Sequence, residues 1–155
     1  MGYDEGVREA SGNQEGVVGM KNISKAKFYL LSFTWGLPMS LAGAVVCGVL
    51  MCFGYRPRKY GHAYYIAIGE SRWGGLEFGW FFLTSKNGSE SIKRHELGHA
   101  YQNACILGWV SPIFSIISAI RYWLKRWGVK IDYYAWWFES QASKIVAEVM
   151  KDEPR

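Results

Sequence analysis

The chain has 155 residues with a formal net charge of +5, and half of its residues are hydrophobic. This length is enough for one compact domain and no more once a membrane segment is subtracted. The three cysteines exclude a disulfide framework, while the eight tryptophans suit a protein core and a membrane interface alike.

The first two segments are a polar tail and a long apolar run. Residues 1–22 are rich in Gly and Glu, which predicts a flexible tail. Residues 28–53 carry no charged side chain and would be about 39 Å long as a helix, against a hydrocarbon core of about 30 Å. We therefore expect one transmembrane helix within 23–55, the alternative being a buried core helix. The excess of cations in the C-terminal part favours a membrane protein with that part in the cytoplasm.

Two short segments after the apolar run have the composition of strands. Residues 64–68 and 76–83 are rich in aromatic and aliphatic side chains, and residues 69–75 between them contain three glycines. This pattern predicts an antiparallel β-hairpin. Such a strand could pair with an extended peptide substrate, or the hairpin could simply pack against the rest of the domain.

The segment His95-Glu96-Leu97-Gly98-His99 has the pattern of a metal-binding motif. On a helix, histidines four residues apart lie on one face, so their rings can converge on one metal ion, and the Glu beside the first can reach a water on that metal. The alternative is an ordinary helix with two surface histidines. A glycine between the histidines destabilises a helix, which is reasonable where another element packs closely against it.

A second uncharged run, residues 104–120, would be about 26 Å long as a helix, and Gly108 and Pro112 interrupt it. This length predicts a re-entrant or interfacial segment. The cations and aromatics of 121–127 extend it to an interfacial apolar segment, 104–127. The same mixture could bind nucleic acid, but no nucleic-acid-binding fold accompanies it, so we expect no nucleic-acid partner.

Glu139 is the candidate third metal ligand. A helix is predicted over 132–150, where Glu139 follows five aromatic residues and is costly to bury without a partner. A metal ion would compensate the carboxylate, whereas the alternative places it in solvent. His62 is a rival ligand, which we interpret as a surface or core histidine.

These two segments carry a family resemblance. His-Glu-Leu-Gly-His-Ala-Tyr-Gln at 95–102, with the later Phe-Glu-Ser-Gln-Ala-Ser, resembles the gluzincin class of zinc metallopeptidases, and more closely small membrane-associated bacterial proteins with two such helices. The resemblance implies Zn²⁺ held by His95, His99 and Glu139, with Glu96 as the general base. Many gluzincins have an Asp where this chain has Ser143, and a hydroxyl lacks the charge that raises ligand basicity.

The resemblance implies an α+β, mostly helical fold: a minimal zincin-like domain over 56–150, made of the β-hairpin, the active-site helix and the Glu helix, preceded by one transmembrane helix. It also implies a membrane-anchored zinc metallopeptidase whose partners are membrane lipid and a peptide or protein substrate. Tyr133 and Tyr134 are candidates to stabilise the oxyanion. The alternative is a non-catalytic, membrane-anchored binding or scaffold protein with a zincin fold and a structural or weak metal site.

Overall fold

The computed structural model describes residues 23–70, 73–130 and 137–150, which form a mostly helical α+β fold. The helices within these ranges are α1 (Lys25–Phe33), α2 (Leu37–Cys52), α3 (Glu90–Gln102), α4 (Ser111–Arg126) and α5 (Trp137–Val149). The strands are β1 (Arg58–Tyr60), β2 (Ala63–Ile68), β3 (Gly75–Phe78) and β4 (Phe81–Ser85). The predicted α+β class is confirmed, the zincin-like arrangement stays a prediction, and the predicted tail lies outside the described residues.

The strands form one mixed sheet in the order β1-β2-β4-β3. β2 and β4 pair in parallel, with Tyr64 opposite Phe81, whereas β1 is antiparallel to β2 and β3 is antiparallel to β4. The predicted hairpin between 64–68 and 76–83 is therefore wrong. The second segment is itself a hairpin, because Gly79 adopts a φ of +69°, a left-handed conformation that glycine tolerates best, and turns the chain there.

The apolar run 28–53 forms two helices, α1 and α2, with a bend of 96° between them. The prediction of one continuous helix is wrong. The N–H of Gly36 donates to the Leu31 carbonyl at 2.8 Å, which closes the end of α1. Pro38 then lies in the first turn of α2, where its missing N–H costs no intrahelical hydrogen bond, so a second helix begins in a new direction.

α3 and α5 pack closely against each other, and a glycine makes this possible. A Cβ placed on Gly98 would collide with the backbone carbonyl of Ala142 on α5. This confirms the expectation that the glycine of the histidine motif accommodates a neighbouring element. Leu97, Tyr101 and Ile145 lie beside this contact and are buried in the core.

One helical stretch of the described chain, Glu90–Arg126, is long and apolar enough to cross a membrane. It comprises α3, a π-helical turn (Asn103–Leu107), a 3₁₀ turn (Gly108–Val110) and α4. The bent pair of α1 and α2 meets the same criterion when it is taken as one span. Core helices of soluble proteins can be equally long and apolar, so membrane location is supported by composition and stays a prediction for either stretch.

Candidate metal centre

The two histidines of α3 face each other across one helical turn. His95 Nε2 and His99 Nε2 lie 3.1 Å apart, and the ring planes are at 85°. Ser89 precedes the first turn of α3, and Glu90 lies within it, where a carboxylate favours the positive end of the helix. The i, i+4 spacing therefore brings both Nε2 atoms to one point, as the sequence predicts.

Glu139 on α5 reaches the same point from the neighbouring helix. Its Oε2 lies 2.9 Å from His95 Nε2 and 3.2 Å from His99 Nε2, and its side chain is fully buried. The alternative with Glu139 in solvent is wrong. Within the described residues, these three side chains are the group whose ligand atoms lie close enough together, within 4.8 Å of one another, to hold a metal ion.

The chemistry and spacing of this donor set fit a zinc ion. In a tetrahedral site with bonds of about 2.0 Å, ligand atoms lie about 3.3 Å apart. The three separations here, 2.9, 3.1 and 3.2 Å, are close to that value. Two imidazoles and one carboxylate are also the ligand types of known catalytic zinc sites with an open fourth position.

Hydrogen bonds at the far ring nitrogens hold both imidazoles in place. His99 Nδ1 lies 2.7 Å from Gln102 Oε1, a carbonyl that can only accept, so the ring N–H is on Nδ1 and Nε2 is left to bind a metal. His95 Nδ1 lies 3.1 Å from Ser143 Oγ, which occupies the orienting position that the resemblance assigns to an Asp. Sequence reasoning missed Gln102, although its i+3 spacing from His99 is a usable signal.

Glu139 itself is held by a third helix. The Ser118 hydroxyl on α4 donates to Glu139 Oε1, the oxygen that does not face the histidines. Burial alone raises the pKa of Glu139, but the hydrogen bonds with His95 and His99 outweigh this effect and leave the pKa well below its ordinary value. Glu139 is therefore an anion at neutral pH. No local sequence pattern singles out Ser118, because only the fold brings α4 over α5.

Glu96 lies beside the triad but outside it. Its side chain is buried and lines a cavity of about 710 Å³ together with His95 and His99. A Cβ on Gly75 of β3 would collide with the Glu96 side chain, so β3 approaches α3 closely because this residue is a glycine. The arrangement places a carboxylate next to the candidate metal without making it a ligand, as the motif predicts.

Glu77 on β3 is a cavity residue that sequence reasoning missed. It is buried, and its carboxylate accepts a hydrogen bond from the N–H of Gly79 in the β3–β4 turn. Burial raises the pKa of Glu77 to about 8. The sequence pattern predicts the opposite, because Glu77 stands between two apolar residues in the strand, whereas the structure exposes Leu76 and buries Glu77.

His62 lies elsewhere and is not part of the cluster. Its Nδ1 is hydrogen-bonded to the Tyr101 hydroxyl, and its ring packs against Phe28 in the core. His62 is half-buried there and is not part of the candidate ligand group, which agrees with its interpretation as a surface or core histidine. Tyr133 and Tyr134, the candidates for oxyanion stabilisation, lie outside the described residues.

Comparison with family models, with curated proteins and with solved structures finds no match to this chain. The resemblance to gluzincin peptidases therefore depends on the motif residues alone and stays a prediction. What is observed is a buried cluster of two histidines and one glutamate, with a second glutamate beside it in an open cavity.

Proposed function

We propose that the protein is a membrane-associated, zinc-dependent metallopeptidase. The observation that carries this proposal is the convergence of His95 Nε2, His99 Nε2 and Glu139 Oε2 on one point in a cavity that also contains Glu96. In this assignment His95, His99 and Glu139 hold the zinc ion. Bound there, zinc would supply a Lewis acid and lower the pKa of a water ligand to about 7.

The remaining roles belong to residues of the chain. Glu96 accepts the proton of the attacking water and passes it to the leaving amine. β3 is an edge strand of the sheet, and its residues Gly75 and Leu76, with Gly74 just before the strand, line the cavity. An extended peptide could add to this edge through backbone hydrogen bonds, which favours peptides over small molecules as substrates.

The second candidate is a non-catalytic binding or scaffold protein with a structural or weak metal site. The observation that favours it is Ser143 beside His95 Nδ1, since a neutral hydroxyl polarises the imidazole less than a carboxylate does. The open cavity beside the cluster favours catalysis, because structural zinc sites are usually closed by four protein ligands.

Metal content and peptide hydrolysis separate these candidates. We expect the purified full chain to hold about one zinc per molecule, and the His99→Ala variant to lose it. The His62→Ala variant is the matched control and should keep the metal, since His62 lies outside the cluster. Full zinc in His99→Ala would contradict the site.

The Glu96→Gln variant then tests catalysis. It should bind zinc like the wild type but lose hydrolysis of a mixed-sequence peptide library by at least about 100-fold, because an amide cannot accept the proton. Zinc binding with no hydrolysis by the wild type would favour the scaffold candidate. Equal hydrolysis by wild type and Glu96→Gln would contradict the mechanism.

A further inference from the structure

α4 presents two different faces, and its inner face belongs to the candidate site. Ser115, Ser118 and Tyr122, at i, i+3 and i+7, line the cavity together with the motif residues of α3. Ser118 also donates to Glu139. This face is polar or carries small side chains, and it forms one wall of the cavity.

The outer face of α4 is apolar and exposed. Ile113, Ile116, Ile120 and Trp127, spaced so that they share one side of the helix, are all more than half exposed in the described fold. A helix in water normally presents charged residues on its outer face. A contiguous row of large aliphatic and aromatic side chains is typical of a helix that contacts a partner or a lipid surface.

The charges and aromatics of the end of α4 favour lipid as the partner. Arg126 and Lys130 are exposed near Trp123 and Trp127, within a chain of net charge +5. Tryptophan prefers the headgroup region of a bilayer, and Lys and Arg beside it attract anionic lipid headgroups. α2, which packs against α4, adds further exposed apolar side chains, Leu41, Val45 and Val49.

Trp123 and Arg126 belong both to the exposed surface of α4 and to the cavity wall. Trp123 is half exposed and lines the cavity, and the exposed Arg126 lines it one turn further along. The exposed surface at the end of α4 is therefore continuous with the wall of the cavity.

We propose that the outer face of α4 (Ile113, Ile116, Ile120 and Trp127) lies in the surface region of an anionic lipid bilayer, and that the cavity takes peptide segments attached to that bilayer. This inference rests on the proposed peptidase function for its substrate, whereas the lipid contact stands on the exposed residues of α4. The site would thus prefer lipid-anchored peptides to peptides free in water.

The lipid contact is tested first, without reference to activity. The full chain is reconstituted into vesicles of phosphatidylglycerol and phosphatidylcholine that contain a lipid with a photoreactive acyl chain. Peptide mapping after illumination should find label on the outer residues of α4. The exposed residue Ala147 of α5 provides the comparison within the same chain and should stay unlabelled. Absence of label on the outer residues of α4, or equal labelling of Ala147, would overturn the inference.

The substrate preference is tested on the same vesicles with one mixed-sequence peptide library in two forms, N-acetylated and N-palmitoylated. We expect the wild type to cleave the palmitoylated form at least about 10-fold faster, as local concentration at the surface requires. Ile116→Asp should lose most of this preference and keep its rate on the acetylated form. Ala147→Asp, which adds the same charge at an exposed site on α5, should retain the preference.

Two results separate the inference from the proposed function. Equal cleavage of both libraries by a zinc-containing wild type would overturn the lipid-anchored substrate and leave the peptidase standing. A wild type that binds no zinc and cleaves neither library would contradict the proposed function and the substrate preference together, whatever lipid contact α4 makes.

Discussion

At the scale of single residues, the three carboxylates in and beside the candidate site differ in their environments. Glu139 is buried against two imidazoles, which hold the pKa of its carboxyl low, so it is a permanent anion suited to bind a cation. Glu77 is also buried, and burial raises its pKa to about 8 although His99 and the Gly79 N–H both favour the charged form. Glu96 lines the same cavity as Glu77, and burial raises its pKa as well. Position in the fold, not residue type, therefore assigns the three roles.

Replacing Glu139 should weaken zinc binding while leaving the rest of α5 intact. Glu139→Gln removes the anionic ligand, so we expect the zinc dissociation constant to rise by about 10-fold or more. Glu148→Gln, at a half-buried position on the same helix, is the control and should bind zinc like the wild type. Competition with a fluorescent zinc chelator measures both. An unchanged affinity in Glu139→Gln would remove this residue from the ligand set.

Replacing Glu77 should change how stability depends on pH. Its folded pKa, about 8, lies above the unfolded value, so the folded state binds more protons and the wild type loses stability as pH rises from about 4.5 to 8. Glu77→Gln keeps an acceptor for the Gly79 N–H and cannot ionise. With a metal chelator present, we expect the midpoint of thermal unfolding of the Glu77→Gln variant at pH 8 to exceed the wild-type value by about 5 °C. At pH 4 the two midpoints should differ little. An equal difference at both pH values would argue against titration of Glu77.

At the scale of elements, the site depends on the distance between α3 and α5. The histidines belong to one helix and Glu139 to the other, so a small separation of the helices moves the ligand atoms apart. Gly98 permits the close approach of α3 to Ala142, and Ser118 connects α4 to Glu139. The candidate metal site therefore depends on the packing of three helices, α3, α4 and α5.

A side chain at Gly98 should separate these helices. Gly98→Ala places a methyl group against the Ala142 carbonyl, and we expect it to lower the free energy of unfolding by about 2 kcal/mol and to weaken zinc binding together. Gly48→Ala is the matched control, since a Cβ there meets nothing within 4 Å on α2. Its effect should be neutral or slightly stabilising because alanine has the higher helix propensity. Denaturant unfolding and zinc titration of both variants check this, and equal behaviour of the two would contradict the packing role.

At the scale of the whole molecule, the fold leaves much of its apolar surface outside. α2 and α4 contact each other and both carry exposed aliphatic residues. One core cluster lies between α1, α3, α5 and the sheet, and a second, smaller one lies between α2 and the sheet. Soluble monomers rarely expose apolar surface on two adjoining elements. The proposed membrane association would account for this exposed apolar surface of the described residues as well as for the length of the apolar runs.

We expect the full-length chain to stay with the membrane fraction after a carbonate wash, because α2 and α4 together bury more apolar surface in lipid than one surface helix does. A variant with Val45→Asp and Val49→Asp, at two exposed positions of α2, should partition measurably into the soluble fraction. Immunoblotting of both fractions measures the distribution. Complete extraction of the wild type by carbonate would contradict an integral location.

The sequence by itself determined the features that depend on local periodicity. The i, i+4 spacing of His95 and His99 requires only that the segment be helical, and the isolation of Glu139 among aromatics already indicated a carboxylate with a buried partner. The apolar composition of 104–120, interrupted at Gly108 and Pro112, predicted a re-entrant or interfacial segment; the structure has two short helical turns and the first part of α4 there, and the interfacial location stays a prediction.

Only the tertiary structure decided what depends on contacts between distant residues. The parallel pairing of β2 and β4 joins segments that are not adjacent along the chain, so no local pattern contains it, even though Gly79 favours the tight turn between β3 and β4. The 96° bend between α1 and α2 was likewise not predicted, because its angle depends on where α2 finds its packing partners. Ser118 reaches Glu139 for the same reason: the two are 21 residues apart, and a hydrogen bond over that separation exists only once the helices have assembled.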